Sequence, residues 1–338
     1  MSAERPWRVY AACVLVQLNF AVGAVVAALG LPLIHPMCFA LIREASAAAL
    51  LLLWARATTT PRERRVAADW RVLCRVGACA AATQLLALVG LKLSSNPTVF
   101  ALYQPAQPAL VAAASVLLRW EAFDATRAAG VFIACGGCAL AAFATLDGRA
   151  GARSGDLAGH ALFAGAAVAG AAFQLCSKPA VVVAAASYAL AACCTAAAAA
   201  GLAAAPGDVG AWLCPDCDGF WRVPASALPA LLWWIFMSTV LNYALMLWAV
   251  AASSPTLVTA FSALQPVAAA GVTLAVLASR PRFRCRGAAD ARCLRPPAAS
   301  DGLAAALVIA GLSLVVRTEL RATRRPRADY VGVELEER

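Results

Sequence analysis

Charge is what this chain has least of. Asp, Glu, Lys and Arg make up 14% of its 338 residues, and they crowd into short stretches between long apolar runs. A soluble domain covers itself with polar and charged groups, so a chain this poor in them leaves no room for one of useful size. Histidine occurs twice, at His35 and His160. No acids are spaced to complete a ligand set with either, so neither a metal nor a cofactor is expected. HExxH, GxSxG, an intramembrane aspartate pair and a P-loop are all missing, which argues against an intramembrane hydrolase and against direct use of ATP. No Asn-x-Ser/Thr acceptor occurs, because Asn96 is followed by Pro97.

Apolar residues, by contrast, reach 62%, and the mean hydropathy is +0.75. This composition predicts an all-α integral membrane protein. Windows of about 20 apolar residues fall at 9–29, 33–54, 73–93, 97–118, 128–146, 157–177, 180–204, 226–250, 255–278 and 302–317. These ten predicted transmembrane helices divide into repeats of five, 9–146 and 157–317, joined at Arg149–Asp156 and followed by a tail, 318–338. MSAERPWR holds charges of both signs without a short apolar core and cleavage site, so no removable signal is expected.

The net charge of +10 would suit nucleic acid, but the basic residues cap spans instead of lining one soluble face, and no nucleic-acid module is visible. They read as topology determinants. The segments around Arg5 and Arg8, Arg56 to Arg75, Arg119 and Arg127, and Arg317 to Arg338 outweigh the alternate ones, which predicts cytosolic termini. The basic stretch 280–300 opposes that assignment, since it falls on the other face.

Two segments repeat one another: SSNPTVFALYQPAQP at 94–108 and SSPTLVTAFSALQP at 253–266. Each sets Gln-Pro inside a span. Proline removes a backbone donor and frees a carbonyl that lipid cannot satisfy, so such breaks persist where they face protein or a wet cavity. Breaks at matching places in two halves point to a transport site. Around the first, Tyr103, Gln104 and Gln107 flank Pro105 and Pro108. Around the second, Thr256, Thr259, Ser262 and Gln265 precede Pro266.

At these residues a resemblance arises. HPMCFALIREASAAALLLLWAR followed by RERR, GLKLSSNPTVFALYQPAQPALVAAASVLLRWE and SSPTLVTAFSALQPVAAAGVTLAVL together resemble the EamA-type drug/metabolite transporter superfamily. Within it they are most similar to the plant walls-are-thin and amino-acid-exporter branch. The resemblance implies two inverted five-helix repeats, cytosolic termini, a central cavity, and movement of small organic solutes. It also implies an arginine at position 43, but not the glutamate at 44. The ninth span departs from the family, running into ASRPRFRCRGAADARC where a short Leu-Gly-Glu-like segment is usual. The first repeat keeps Arg119, Trp120 and Glu121 at the corresponding place.

Further candidates follow from the residues. Gln84 and Asn242 lie ten and eleven positions before Ser94 and Ser253, a second duplicated amide pair. Gln17, Asn19 and Gln174 are further polar groups within spans. Each could line a cavity or hold helices together. Amides, hydroxyls and aromatic rings suit neutral, zwitterionic or aromatic solutes better than phosphates, which call for Arg or Lys clamps. Lys92 and Lys178 sit at span ends where they can snorkel.

Arg43 and Glu44 are a charged pair within a span, costly to expose to lipid. Being adjacent they point about 100° apart, which predicts different partners. A gate, a proton-linked switch and a structural anchor all fit them. Of thirteen cysteines, Cys214, Cys217, Cys285 and Cys293 fall in two segments predicted on one non-cytosolic face. Disulfides within or between these segments suit an oxidising compartment, with a zinc site as the alternative. YVGV at 330–333 has the form of a sorting signal. Gly155-x-x-x-Gly159 permits close helix packing, including that of a homodimer.

The reading that unites these features is a multi-pass protein of the plasma membrane or an endomembrane. Its partners would be a small-molecule substrate and the lipid bilayer, with no nucleic acid. It would act as a secondary transporter or facilitator of amino acids or similar solutes, by alternating access. A nucleotide-sugar or phosphate carrier of the same superfamily and a non-transporting scaffold are the alternatives.

Overall fold

Lipid offers a backbone N–H or C=O no partner, so a chain of apolar runs must satisfy those groups within each segment, as helices do. The computed structural model describes residues 6–58, 70–94, 97–119, 123–146, 154–176, 181–204, 219–252, 261–285 and 293–324, with positions 213, 214, 217 and 258. Among the described residues there is no strand, and the protein is an all-α membrane protein.

The helices are α1 (Pro6–Gly30), α2 (Pro36–Thr58), α3 (Trp70–Ser94), α4 (Pro97–Tyr103), α5 (Ala106–Leu117), α6 (Ala125–Leu146), α7 (Ser154–Cys176) and α8 (Val181–Ala204). After them come α9 (Leu228–Leu232), a π-helical stretch (Trp233–Leu241), α10 (Asn242–Ala252), a 3-10 turn (Phe261–Leu264), α11 (Gln265–Ser279) and α12 (Ala299–Arg324). Eight stretches among the described residues are long and apolar enough to cross a membrane. The two predicted spans outside that set are 97–118, divided between α4 and α5, and 128–146, where α6 contributes a shorter apolar stretch over Ala125–Ala141. The predicted segments Ser253–Thr256 and 325–338, with YVGV, lie outside the described residues, as do Thr259 and Lys178.

Alanine and glycine line many of the helix contacts, and many large apolar side chains face outward, although Phe39, Leu51 and Phe163 are buried. Leu53, Phe132, Phe143 and Val168 are exposed, whereas Ala21, Ala24, Ala27, Ala47 and Ala185 are fully buried. This inverts the soluble pattern because lipid tails solvate leucine and phenylalanine well, and close backbone contact then supplies the van der Waals attraction between helices. The α6–α12 contact shows it clearly. A Cβ added to Gly130 would come 2.7 Å from the Gly311 carbonyl oxygen, and one on Gly137 would come 2.8 Å from that of Ala304. Gly159 meets α3 in the same way, its Cβ position 2.8 Å from Ser94 Cβ, so the small-residue motif serves packing within the chain.

The broadest helix contacts are α3 with α7, α6 with α12, and α2 with α8. In addition α3 packs on α8, α1 on α11 and on α9, the π stretch and α10, α4 on α11, α5 on α7, and α2 on the π stretch. Helix ends are fixed locally. Asp124 Oδ1 accepts from Arg127 N at 2.7 Å ahead of α6, and Asp301 Oδ2 accepts from Ala298 N at 2.9 Å as α12 begins. Arg119, at φ 59°, closes α5 in the left-handed conformation that glycine more often supplies.

One end of the bundle is covered by cross-linked segments. Cys214 pairs with Cys217 and Cys285 with Cys293, so both disulfides close their own segments and do not join them. The basic stretch 280–300 is folded where it is described: Leu294 N donates to Phe283 O at 2.6 Å, and the Leu294 side chain is fully buried in the core. Lys92, predicted to snorkel, instead turns its Nζ to the carbonyls of Leu31 (2.9 Å) and Ile34 (3.2 Å), against Cys214. His35 stacks on Phe220 with ring centroids 3.9 Å apart.

Candidate functional site

The first Gln-Pro interrupts a helix, whereas the second stands at the start of one. In the first, α4 ends at Tyr103, Gln104 and Pro105 form a turn closed by Gln107 N on Gln104 O (3.1 Å), and α5 begins at Ala106. In the second, a 3-10 turn leads directly into α11, with Gln265 as its first residue and Pro266 as its second. Proline is tolerated at a helix start because the N–H it lacks would be unpaired there, so each Gln-Pro lets a helix begin without an orphaned donor. Ala21, Ala101 and Ala269 are fully buried together where α1, α4 and α11 meet. The segments α4 and α11, each beside a Gln-Pro, are thus in direct contact.

The first break carries a line of polar side chains. Gln107 Nε2 donates to Gln104 Oε1 (2.9 Å), and Gln174 Nε2 on α7 donates to Gln107 Oε1 (3.2 Å). Gln107 also fills the space over Gly170, where a Cβ would come 2.6 Å from its amide. Tyr103, one turn earlier, puts its hydroxyl 3.0 Å from His160 Nδ1 and 3.5 Å from Cys138 O, both buried. At the second Gln-Pro, Gln265 and Pro266 are buried and Ser262 is half-buried, as is Pro108 at the first.

Arg43 and Glu44 are both fully buried. Arg43 Nη1 donates to Gln84 Oε1 (2.9 Å), and Thr195 Oγ1 on α8 donates to Glu44 Oε2 (2.6 Å). They have separate partners, as their angular offset predicts, but they also touch: Arg43 Nη2 lies 3.2 Å from Glu44 Oε1. An arginine stem is long enough to fold back along the helix, and in a low-dielectric interior the attraction repays the bend. The guanidinium lies 5.3 Å from the centroid of the Trp234 ring, a cation–π contact across to the π stretch. Gln84 Nε2 reaches Tyr188 OH (3.4 Å), and the Tyr188 ring meets that of Tyr243 edge-on at 5.4 Å.

A second amide pair lies beside this cluster. Asn19 Nδ2 donates to Asn242 Oδ1 (3.0 Å), and Asn242 Nδ2 donates to Val16 O (3.3 Å). The π stretch between the two groups is pinned to α1 by Trp234 Nε1 on Gly23 O (2.8 Å) and Trp233 Nε1 on Asn19 O (3.4 Å). Within it Thr239 Oγ1 donates to Trp234 O (2.8 Å). π-helical turns displace side chains from ordinary helical register and recur at functional sites.

The structure therefore gathers the candidates into two groups. One joins Tyr103, Gln104 and Gln107 to α7. The other joins Arg43, Glu44 and Gln84 to α8 and the π stretch, with Asn19 and Asn242 adjoining. His160, Tyr188, Thr195, Trp234 and Tyr243 complete these groups, and sequence reasoning did not assign them. Their only signal was a polar or aromatic residue inside an apolar run.

No known family profile matches the chain, and no curated protein matches it. A solved crystal structure is similar over 94% of this chain and 99% of its own, at 16% identity and a TM-score of 0.56. That likeness establishes a shared fold and nothing about activity.

Proposed function

We propose that this chain is a secondary transporter or facilitator of the EamA type, moving amino acids or similar neutral, zwitterionic or aromatic solutes by alternating access. The observation that carries this reading is the helix break at Gln104–Pro105 together with the helix start at Gln265–Pro266, on segments that pack against one another. Paired breaks in two halves are how many transporters build a site at the midplane.

The packing pattern supports two inverted repeats of five helices. Exchanging spans one to five with six to ten turns the α3–α7 contact into that of α1 with the eighth span. The same exchange turns α5–α7 into α1–α11, and α3–α8 into α2 with the π stretch. The contacts α2–α8, α6–α12 and α4–α11 map onto themselves. All these contacts are present, as a pseudo-two-fold arrangement requires.

The test is uptake and efflux of labelled amino acids, aromatic acids and purines in cells expressing wild type or the Gln104→Ala, Gln265→Ala double mutant at matched surface levels. Transport by the wild type that the double mutant loses is the expected result. A wild type that moves nothing above background favours a scaffold, and a fully active double mutant removes the Gln-Pro site from the reading.

A further inference from the structure

We infer that Arg43 receives a carboxylate of the transported solute in exchange for the carboxylate of Glu44, which leaves as the neutral acid, so that solute and proton cross together. The inference rests on the transport reading above and names both the substrate class and the coupling.

The argument begins with what Arg43 lacks. Its side chain is fully buried about 10 Å along α2 from Pro36, at a rise of about 1.5 Å per residue, yet its Nε has no hydrogen-bond partner. Of its planar donor fork one Nη is given to Gln84 and the other to Glu44. Guanidinium groups are shaped to bind a carboxylate through two parallel hydrogen bonds. Glu44, anchored on the adjacent residue and turned toward Thr195, supplies one. A buried arginine with its Nε unpartnered, set over the Trp234 ring and tied by a single bond to its counter-ion, is an anion site incompletely filled by the protein's own carboxylate.

Exchange follows from charge balance. A solute whose carboxylate is its only charge, entering beside an ionised Glu44, would leave two negative charges against one positive charge in low dielectric, which is strongly unfavourable. If Glu44 takes one proton from the aqueous phase as the solute binds, the site again holds one cation and one anion. No bond other than that to the proton is made or broken. Thr195 can keep its hydrogen bond to either form, because a hydroxyl donates and accepts.

Among the described residues, the groups that face the pair are uncharged. Facing the pair, α8 brings Tyr188 and Thr195, α10 brings Tyr243, α3 brings the uncharged Gln84, and the π stretch brings Trp234. Arg43 is therefore the cation that an ionised Glu44 meets. Because Glu44 and Thr195 come from helices of opposite halves, motion of one half against the other would break their contact. That would couple protonation to the change of access.

The test uses purified full-length protein in proteoliposomes with the membrane potential clamped at zero. The probes are labelled aromatic acids and amino acids, their uncharged amides, and an internal pH dye. The expected wild-type result is carboxylate uptake accompanied by proton entry, with a gradient of about one pH unit driving up to about tenfold accumulation, and no uptake of the amides. Glu44→Gln should keep solute counterflow but lose accumulation and proton entry. Glu44→Asp should keep coupling with an altered pH profile, and serves if the glutamine variant does not fold. Carboxylate uptake without protons, equal uptake of amides, or gradient-driven accumulation by Glu44→Gln would overturn this inference while leaving transport standing. Absence of all uptake by the wild type would remove the transport reading itself.

Discussion

Gln84 and Asn242 stand at similar distances before Ser94 and Ser253, yet the fold uses them in opposite ways. Gln84 accepts from a charged guanidinium and donates to a tyrosine. Asn242 pairs with another amide, Asn19, and with a backbone carbonyl. One amide thus serves a buried ion pair, and the other holds two helices together. The neighbouring helices decide what each amide serves. The difference lies in α2, which brings Arg43 to Gln84 and Glu44 to Thr195.

Breaking that asymmetry should have its largest effect at the ion pair. Arg43→Ala leaves a buried carboxylate without its cation and should cost about 3–5 kcal/mol, measured as denaturant unfolding of the purified protein in detergent. The Arg43→Met, Glu44→Leu double variant removes both charges and should recover most of that stability while losing carboxylate transport. A double variant as unstable as the single one would show that packing, not unpaired charge, sets the cost. Gln84→Leu strips one acceptor from Arg43 and should cost about 1.5–3 kcal/mol.

The corresponding change, Asn242→Leu, removes a neutral amide pair and should cost about 0.6 kcal/mol, with about 1.7 as the upper end. Equal losses from Gln84→Leu and Asn242→Leu would erase the contrast between the halves. The smallest stability change should come from Gln104→Ala with Gln265→Ala, within about 0.5 kcal/mol if these groups serve a solute more than the fold. The same thermal and denaturant profiles, set beside the transport assay, separate the two roles.

Much of the architecture was legible because hydropathy has a length scale. A span needs about 20 apolar residues, and eight of the predicted windows overlap stretches long and apolar enough to cross a membrane among the described residues. The break at Pro105 was legible too, since proline's effect on a helix is local. The partners of Arg43 and Glu44 were not. Adjacency on a helix predicted divergence, but a long flexible stem allowed the two to meet at 3.2 Å. Thr195 and Tyr188 gave no signal, because one hydroxyl in an alanine-rich run looks the same whether it meets a carboxylate or its own backbone. The cysteine segments showed that pairing was available, yet nothing in their spacing chose closure within each segment over a bridge between them.

What the sequence alone determined is the class of the protein: where charge is too sparse for a soluble surface, the backbone must pair within helices, and Gln-Pro at 104 and 105 must interrupt one of them. What only the tertiary structure decided is company. Which helix faces which depends on where glycine and alanine let backbones approach, and that set Glu44 against Thr195, Arg43 against Trp234, and Asn19 against Asn242. Such contacts join residues as many as 223 positions apart, and no periodicity along one chain encodes them. In an interior without water, a polar group takes its role from whichever partner packing brings within reach.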